Sequence, residues 1–137
     1  DYAIGQFITF LRSQKKFENT MIVITGDHEG FGLTRKPLYE HALGKDIISP
    51  ERFTPLIVLN SPVHLRYEKV MGQGGLYPTL LDLLGADDYP WRGLGESILS
   101  SGKKAFAISP QMEIIGDTVG VSTAEIQHAK DAWRVSE

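Results

Sequence analysis

The 137-residue sequence has no cysteine, no long apolar run and no excess of positive charge. Without cysteine the chain cannot form disulfides or zinc–thiolate sites, although this absence fits any cellular compartment. No apolar segment approaches the roughly 18 residues that a membrane-spanning helix needs, and no signal peptide is recognisable. The formal net charge of −3 argues against a nucleic-acid partner, because proteins that bind nucleic acids usually carry a basic patch.

The chain begins at Asp1, without methionine and already within a helical pattern. This start predicts a piece of a longer protein, so we expect any contact with a membrane to come from segments outside this sequence. The hydrophobic fraction of 42% is ordinary for a folded protein, and the length suffices for a domain with a core.

The periodicity of residues 1–95 predicts an α/β fold. Apolar spacing in residues 1–16 and 76–85 predicts two helices, with Pro78 in the first turn of the second helix and Gly85 at its end. Unbroken apolar runs at residues 21–25 and 56–59 predict strands that are covered on both faces, as in a parallel sheet. Residues 29–50 show no period and are expected to form a long functional loop. The expected apolar faces are Ile4, Phe7, Ile8 and Leu11 in the first helix, and Leu76, Leu80, Leu83 and Leu84 in the second.

Residues 96–137 differ from residues 1–95 in their sequence pattern, which predicts a second, smaller domain. The segments "KAFAIS", "MEIIGD" and "TVGVS" resemble short strands separated by turn residues, which indicates a small antiparallel sheet. Ser122 and Glu125 have the spacing of a capping box at the start of a closing helix. This helix is expected to pack on the small sheet through Ile126, Ala129 and Trp133.

Asp27 and His28 directly follow the apolar run at residues 21–25. In open α/β sheets, ligands bind beyond the carboxyl ends of the strands, and a carboxylate with an imidazole suits Zn²⁺ or Mn²⁺ better than Ca²⁺. The alternative is that the two residues simply begin a polar turn. Two ligands are also too few for a metal site, so a metal requires further ligands from elsewhere.

Four segments resemble, in order, the C-terminal half of the sulfatase branch of the alkaline phosphatase superfamily. They are "NTMIVITGDHEGFG", "LYEH", "RFTPLIVLNSP" and "QGGLYPTLLDLLGADDYPWRGLGESIL". Within that branch, the chain is most similar to lipoteichoic acid synthase-like phosphoglycerol transferases and their bacterial sulfatase relatives. The resemblance covers residues 1 to about 100 and implies the C-terminal part of an alkaline phosphatase-like sheet with flanking helices.

The resemblance implies roles for four residues. Asp27 and His28 fall on the family's metal-ligand pair, which implies a divalent metal such as Mn²⁺, Mg²⁺ or Zn²⁺. His41 resembles the histidine that contacts the transferred phosphoryl group or a second metal. Lys36 resembles the sulfatase lysine that contacts the sulfate, although its spacing to the following tyrosine is one residue short.

Other positions are interpreted as structural. Arg52 resembles a family landmark near a strand start, and Gly75 stands where the family usually has an aspartate, whose loss is expected to weaken a local hydrogen bond. His64 and His128 are interpreted as uninvolved in chemistry. Trp91 is interpreted as a packing anchor, or as an aromatic residue that flanks a substrate.

The resemblance implies displacement at phosphorus or sulfur through a covalent intermediate on a nucleophile. That nucleophile and the remaining metal ligands belong to the family's N-terminal half, the expected partner of this chain. We therefore expect the 137 residues alone to be inactive, and the parent protein to act outside the cytoplasm, periplasmic or at the cell surface. Whether the parent is anchored in the membrane, as the synthase-like members are, stays open.

Three functions stay open for the parent protein. The first is a phosphoglycerol- or phosphoethanolamine-type transferase, favoured by His28 and "LYEH". The second is a true sulfatase, favoured by residues 36–40, although sulfatases usually carry an aspartate–asparagine pair at the metal position. The third is a degenerate, non-catalytic binding domain. The substrate is a phosphate ester in the first case and a sulfate ester in the second.

Overall fold

Residues 2–27, 54–86, 88–109 and 111–136 are described by a computed structural model, and they fall into two units. The first unit is Asp1–Ser61 and the second is Pro62–Glu137. Each contains helix and a two-stranded antiparallel sheet, so the predicted mixture of helix and strand is confirmed, whereas an alkaline phosphatase-like sheet is not. The predicted division near residue 95 stays a prediction.

The first helix, α1, spans Tyr2–Ser13, which confirms the helix predicted from apolar spacing. Leu11 is buried and Ile8 is half-buried, but Phe7 is 51% exposed. The helix ends before Lys15, which takes a φ of 54°, and the Arg12 guanidinium then lies 4.5 Å from the centre of the Phe17 ring. The predicted apolar face of α1 is therefore only partly covered.

Strands β1 (Ile22–Thr25) and β2 (Leu56–Leu59) pair in the antiparallel sense, so the predicted parallel arrangement is wrong for this pair. Ile22 lies opposite Leu59, and Thr25 lies opposite Leu56. An apolar run indicates that both faces of a strand are covered. It does not indicate whether the neighbouring strand runs parallel or antiparallel to it. The covering is also incomplete, because Ile57 is 48% exposed.

In the second unit, helix α2 spans Leu76–Leu83 and follows a 3₁₀ turn at Gln73–Gly75. Pro78 lies in its first turn and Gly85, with a φ of +69°, follows its end, as predicted. The Gly85 N–H donates to the Asp82 carbonyl, and the Ala86 N–H donates to the Leu81 carbonyl. These two bonds form a Schellman motif, which satisfies carbonyls that the helix end leaves without partners.

The most buried face of α2 is not the leucine face that the spacing predicts. Pro78 and Thr79 are buried, whereas Leu84 is 65% exposed. The Thr79 hydroxyl, with the residue only 1% exposed, donates to the Gly75 carbonyl at 2.6 Å and accepts from the Ile98 N–H at 3.1 Å. Thr79 therefore links the start of α2 to residue 98 through one buried hydroxyl.

Strands β3 (Phe106–Ile108) and β4 (Ile114–Gly116) form the predicted small antiparallel sheet. The third predicted strand, within "TVGVS", is wrong. The Asp117 carboxylate accepts from the Val119 N–H at 2.8 Å, and the Val121 N–H donates to the Thr118 carbonyl, so the segment folds into a turn. Val119 is 85% exposed, because its β-branched side chain has no strand neighbour to pack against.

Helix α3 spans Thr123–Ser136 and contacts β3, as expected for a closing helix on the small sheet. The predicted capping box is confirmed. The Glu125 N–H donates to the Ser122 hydroxyl at 3.2 Å, and the Glu125 carboxylate accepts from the Ser122 N–H at 2.7 Å. Of the helices in the described ranges, none is long and apolar enough to cross a membrane.

We expect Thr79→Val to lower the free energy of unfolding by about 1–3 kcal/mol, the usual cost of leaving a buried polar group unpaired. Valine keeps the shape of threonine but leaves the Ile98 N–H and the Gly75 carbonyl without the hydroxyl. Urea unfolding measures the change. Thr118→Val is the matched control on a half-buried threonine, and equal losses in the two variants contradict the assignment.

The pKa of Glu125 lies below its ordinary value because the Ser122 backbone N–H and then the Ser122 hydroxyl donate to the carboxylate. A lowered pKa in the folded chain contributes stability that is full above the unfolded value of about 4.3 and is lost as the pH falls through the folded value. We expect the start of α3 to weaken in that range. Carboxyl NMR titration checks this, and Ser122→Ala is expected to raise the Glu125 pKa; an unchanged titration contradicts the box.

Candidate functional site

The candidate site begins where β1 ends. Ile22 at the start of the strand is buried, Thr25 at its end is exposed, and the exposed Asp27 follows after Gly26. Burial decreases along β1, so Ile22 anchors the strand and Thr25 lies at the solvent-exposed end. A carboxylate at this position is accessible to a cation from solvent.

The direction of β2 changes the surroundings of Asp27. Because Thr25 pairs with Leu56, the end of β1 lies beside the start of β2. The carboxyl end of β2 lies at the opposite end of the pair, beside Ile22. The carboxyl end of β2 therefore does not lie beside Asp27, in contrast to a parallel pair, where both carboxyl ends lie at the same edge.

Asn60 fixes the end of the strand pair that is remote from Asp27. Its side-chain amide donates to the Phe17 carbonyl at 2.6 Å and to the Thr20 carbonyl at 3.0 Å. Its backbone takes a φ of 57°, a conformation that asparagine tolerates better than most residues. The residue therefore ties the exit of β2 to the two carbonyls that precede β1, and it was not identified from the sequence.

Four of the residues that the resemblance singles out lie outside the described residues, namely His28, Lys36, His41 and Arg52. Their predicted roles stay predictions, and the same is true of the long loop expected over residues 29–50. Asp27 is the candidate ligand whose position the structure gives.

Within the described ranges, no group of three or more histidine, aspartate and glutamate side chains is placed to hold a metal ion. His64 and His128 are both exposed, and their lack of a chemical role stays a prediction.

Gly75, which stands where the family usually has an aspartate, is a position of close backbone contact. It is buried, and a Cβ there would lie 2.8 Å from the Glu96 carbonyl oxygen and 3.1 Å from the Met71 side chain. A Cβ at Gly95 would likewise lie 2.5 Å from the Gly74 carbonyl carbon. In this chain the glycine therefore allows residues 94–96 to lie against the start of α2, which an aspartate side chain would prevent without a shift.

Trp91 is a packing anchor in the second unit, one of its two predicted roles. Its ring stacks on Tyr77 with centroids 4.9 Å apart, and its indole N–H donates to the Gly95 carbonyl at 3.1 Å. The ring nevertheless remains 37% exposed. Part of it is thus available to a ligand.

Comparison with known proteins gives a consistent family signal. The sulfatase family model matches residues 1–86, more than half of the chain. A lipoteichoic acid synthase-like protein of Bacillus subtilis, YvgJ, is 31% identical over 79% of this chain. Lipoteichoic acid synthases of Staphylococcus saprophyticus and Staphylococcus aureus are 26% and 29% identical over 73% and 74% of the chain.

These relatives are much longer than this chain. The matched region covers 19% of the Bacillus protein and 16% and 17% of the two staphylococcal proteins. The chain thus spans less than a fifth of the curated relatives it matches. No solved structure matches it.

We expect Asn60→Ala to destabilise the chain more than Asn60→Gly. Both variants lose the bonds to Phe17 and Thr20, but alanine also bears the cost of a positive φ, about 1–2 kcal/mol, that glycine avoids. Urea unfolding measures the difference. Equal stabilities of the two variants would show that the backbone at residue 60 does not hold this conformation.

Proposed function

The chain belongs to the sulfatase family of the alkaline phosphatase superfamily, and we propose that it supplies metal ligands to an enzyme that transfers a phosphoryl-bearing group, in the manner of a phosphoglycerol transferase. The observation that carries this proposal is Asp27, an exposed carboxylate held at the end of an anchored strand within the matched region. The relatives named as lipoteichoic acid synthases support a phosphate ester as the substrate.

We assign Asp27 and His28 as ligands of a divalent metal, Mn²⁺, Mg²⁺ or Zn²⁺. The donor chemistry fits, because an exposed carboxylate followed by an imidazole provides oxygen and nitrogen ligands that these ions accept. When bound, such a metal stabilises charge on the phosphoryl oxygens and lowers the pKa of a nucleophile. The other ligands come from other parts of the same polypeptide.

The remaining residues have their own tasks. His41 contacts the transferred group, where an imidazole can donate a hydrogen bond to a phosphoryl oxygen or protonate the leaving oxygen. Gly26 lets the backbone turn between the strand and Asp27. The register of β1 against β2 holds the start of this turn in place, so the carboxylate does not have to be ordered at each turnover.

The nucleophile, in this proposal, lies in a preceding half of the polypeptide that packs on the first unit. The exposed apolar side chains of α1 support such a partner. Tyr2 is 79% exposed, Phe10 is 57% exposed and Phe7 is 51% exposed, and side chains of this kind are normally covered in a folded enzyme. The 137 residues alone are then inactive and bind a metal weakly.

The parent enzyme acts outside the cytoplasm, periplasmic or at the cell surface, where a lipid-linked phosphate ester is accessible. Its membrane attachment comes from segments outside this sequence. The similarity to lipoteichoic acid synthases supports this location.

A true sulfatase is the second candidate, because the matching family model is named for sulfatases and residues 36–40 resemble the sulfate-contacting segment. Mass spectrometry of the nucleophile-bearing peptide of the full-length protein separates the two. Formylglycine in place of cysteine or serine supports the sulfatase, and an unmodified threonine or serine supports phosphoryl transfer. The absence of any nucleophile supports a non-catalytic binding domain.

In the full-length polypeptide, we expect Asp27→Asn and His28→Gln each to reduce Mn²⁺-dependent hydrolysis of bis(p-nitrophenyl) phosphate at least about 100-fold. The estimate follows because changes in residues that only support metal ligands already cost about 10–100-fold. Hydrolysis of p-nitrophenyl sulfate, assayed beside it, is expected to be negligible.

The matched controls are Asp88→Asn and His64→Gln, which change exposed residues of the same types. Both are expected to keep full activity. Normal activity of Asp27→Asn in a correctly folded protein would refute the metal assignment, and activity on the sulfate ester alone would refute the substrate class.

A further inference from the structure

A cavity of about 300 Å³ lies in the second unit, between α2 and residues 91–102. Its size is at the lower end of the range of small-molecule sites. Asp82, Trp91, Glu96 and Ser97 contribute to its wall, together with Ser100 and Ser101. None of the residues that line it belongs to the proposed metal site, and nothing in the proposed function uses it.

Trp91 gives the cavity a rigid aromatic wall. The stack on Tyr77 fixes the plane of the ring, and the bond from the indole N–H to the Gly95 carbonyl fixes its rotation. Gly93 lies so close to the benzo ring of Trp91 that any side chain at residue 93 would clash with it. The part of the ring that remains exposed is therefore presented in one orientation.

Ser97 gives the cavity a buried hydrogen-bond donor. The residue is only 4% exposed, and its hydroxyl oxygen accepts from the Leu99 N–H at 3.1 Å. This bond leaves the Ser97 hydroxyl its proton and a second lone pair. A ligand oxygen that lies within reach of this hydroxyl can accept a hydrogen bond from it.

The charges of the wall select among ligand classes. The two carboxylates are acceptors, and no lysine or arginine lines the cavity among the residues that the structure describes, so a phosphate or sulfate group would meet their negative charge there. An ammonium group would suit the carboxylates, but it has no lone pair for the Ser97 hydroxyl. A ligand hydroxyl both donates and accepts, so it satisfies the carboxylates and Ser97 together.

We propose that this cavity binds an uncharged sugar ring, whose hydroxyls donate to Asp82 and Glu96 and accept from Ser97, while its C–H groups pack against Trp91. The ring shape matters because the aromatic wall is flat and fixed. The site is independent of the metal chemistry, so either proposal can fail without the other.

The two indole N–H groups of the 137-residue chain provide the reporter, because the sequence contains only Trp91 and Trp133. Each gives one side-chain signal in a ¹H–¹⁵N correlation spectrum, and Trp133→Phe assigns them. Methyl glycosides of glucose, galactose and N-acetylglucosamine are titrated in turn, with glycerol, choline and inorganic phosphate as comparison probes. We expect the Trp91 signal to shift saturably with at least one glycoside, while the Trp133 signal stays in place.

Two variants test the contacts. Ser97→Ala is expected to weaken the apparent Kd about threefold to tenfold, the range for one neutral hydrogen bond, and Glu96→Gln about tenfold or more, because the lost acceptor is charged. Ser13→Ala, an exposed serine in the first unit, is the matched control and should leave the Kd unchanged.

Three results overturn the proposal. One is no shift of the Trp91 signal with any glycoside. Another is a shift with glycerol as large as with the glycosides, which would mean a site for hydroxyl groups without preference for a ring. The last is a shift with choline that Glu96→Gln removes and Ser97→Ala does not affect, which would mean a cation site.

Discussion

The pairing of β1 with β2, secured by the Asn60 side chain, is the constraint on which the candidate metal position depends. Asn60 uses both amide protons on the carbonyls of Phe17 and Thr20, so the exit of one strand and the entrance of the other are joined. From there the two strands stay paired over four residue pairs, and the last pair contains Thr25. Asp27 follows only two residues later, so its carboxylate lies close to the exit of an anchored strand.

The second unit is organised by different contacts. The Thr79 hydroxyl joins the start of α2 to residue 98, and the glycines before α2 let the backbone of residues 94–96 lie directly against it. These contacts place Glu96 and Ser97 opposite the helix, where they form a cavity wall together with Trp91. The close contact between residues 94–96 and the start of α2 thus gives the cavity its shape beside the Trp91 ring. A side chain at residue 75 would move one wall of that cavity.

The two units thus carry two separate kinds of chemistry. The first holds an exposed carboxylate at a strand end, within the segment that the sulfatase family model matches, and it exposes apolar side chains of α1. The second holds a cavity whose described wall contains two carboxylates and no basic residue. The two proposed ligands, a phosphate or sulfate ester and an uncharged sugar ring, place opposite demands on charge, so the two proposals assign them to different sites.

What the sequence by itself determined is what depends on neighbours along the chain. The capping box of Ser122 and Glu125 and the Schellman end at Gly85 are confirmed, because their hydrogen bonds join residues within one or two turns. The motifs also identified the family, because the order of the short segments is read from the sequence alone and does not depend on how they pack. Only the tertiary structure decided the antiparallel direction of β2, the turn at residues 118–121, the burial of Thr79 and the need for glycine at residue 75. Each of these features depends on which distant segment of the chain packs against it. Side-chain periodicity indicates that a face of a helix or strand is covered, but it does not indicate which segment covers it.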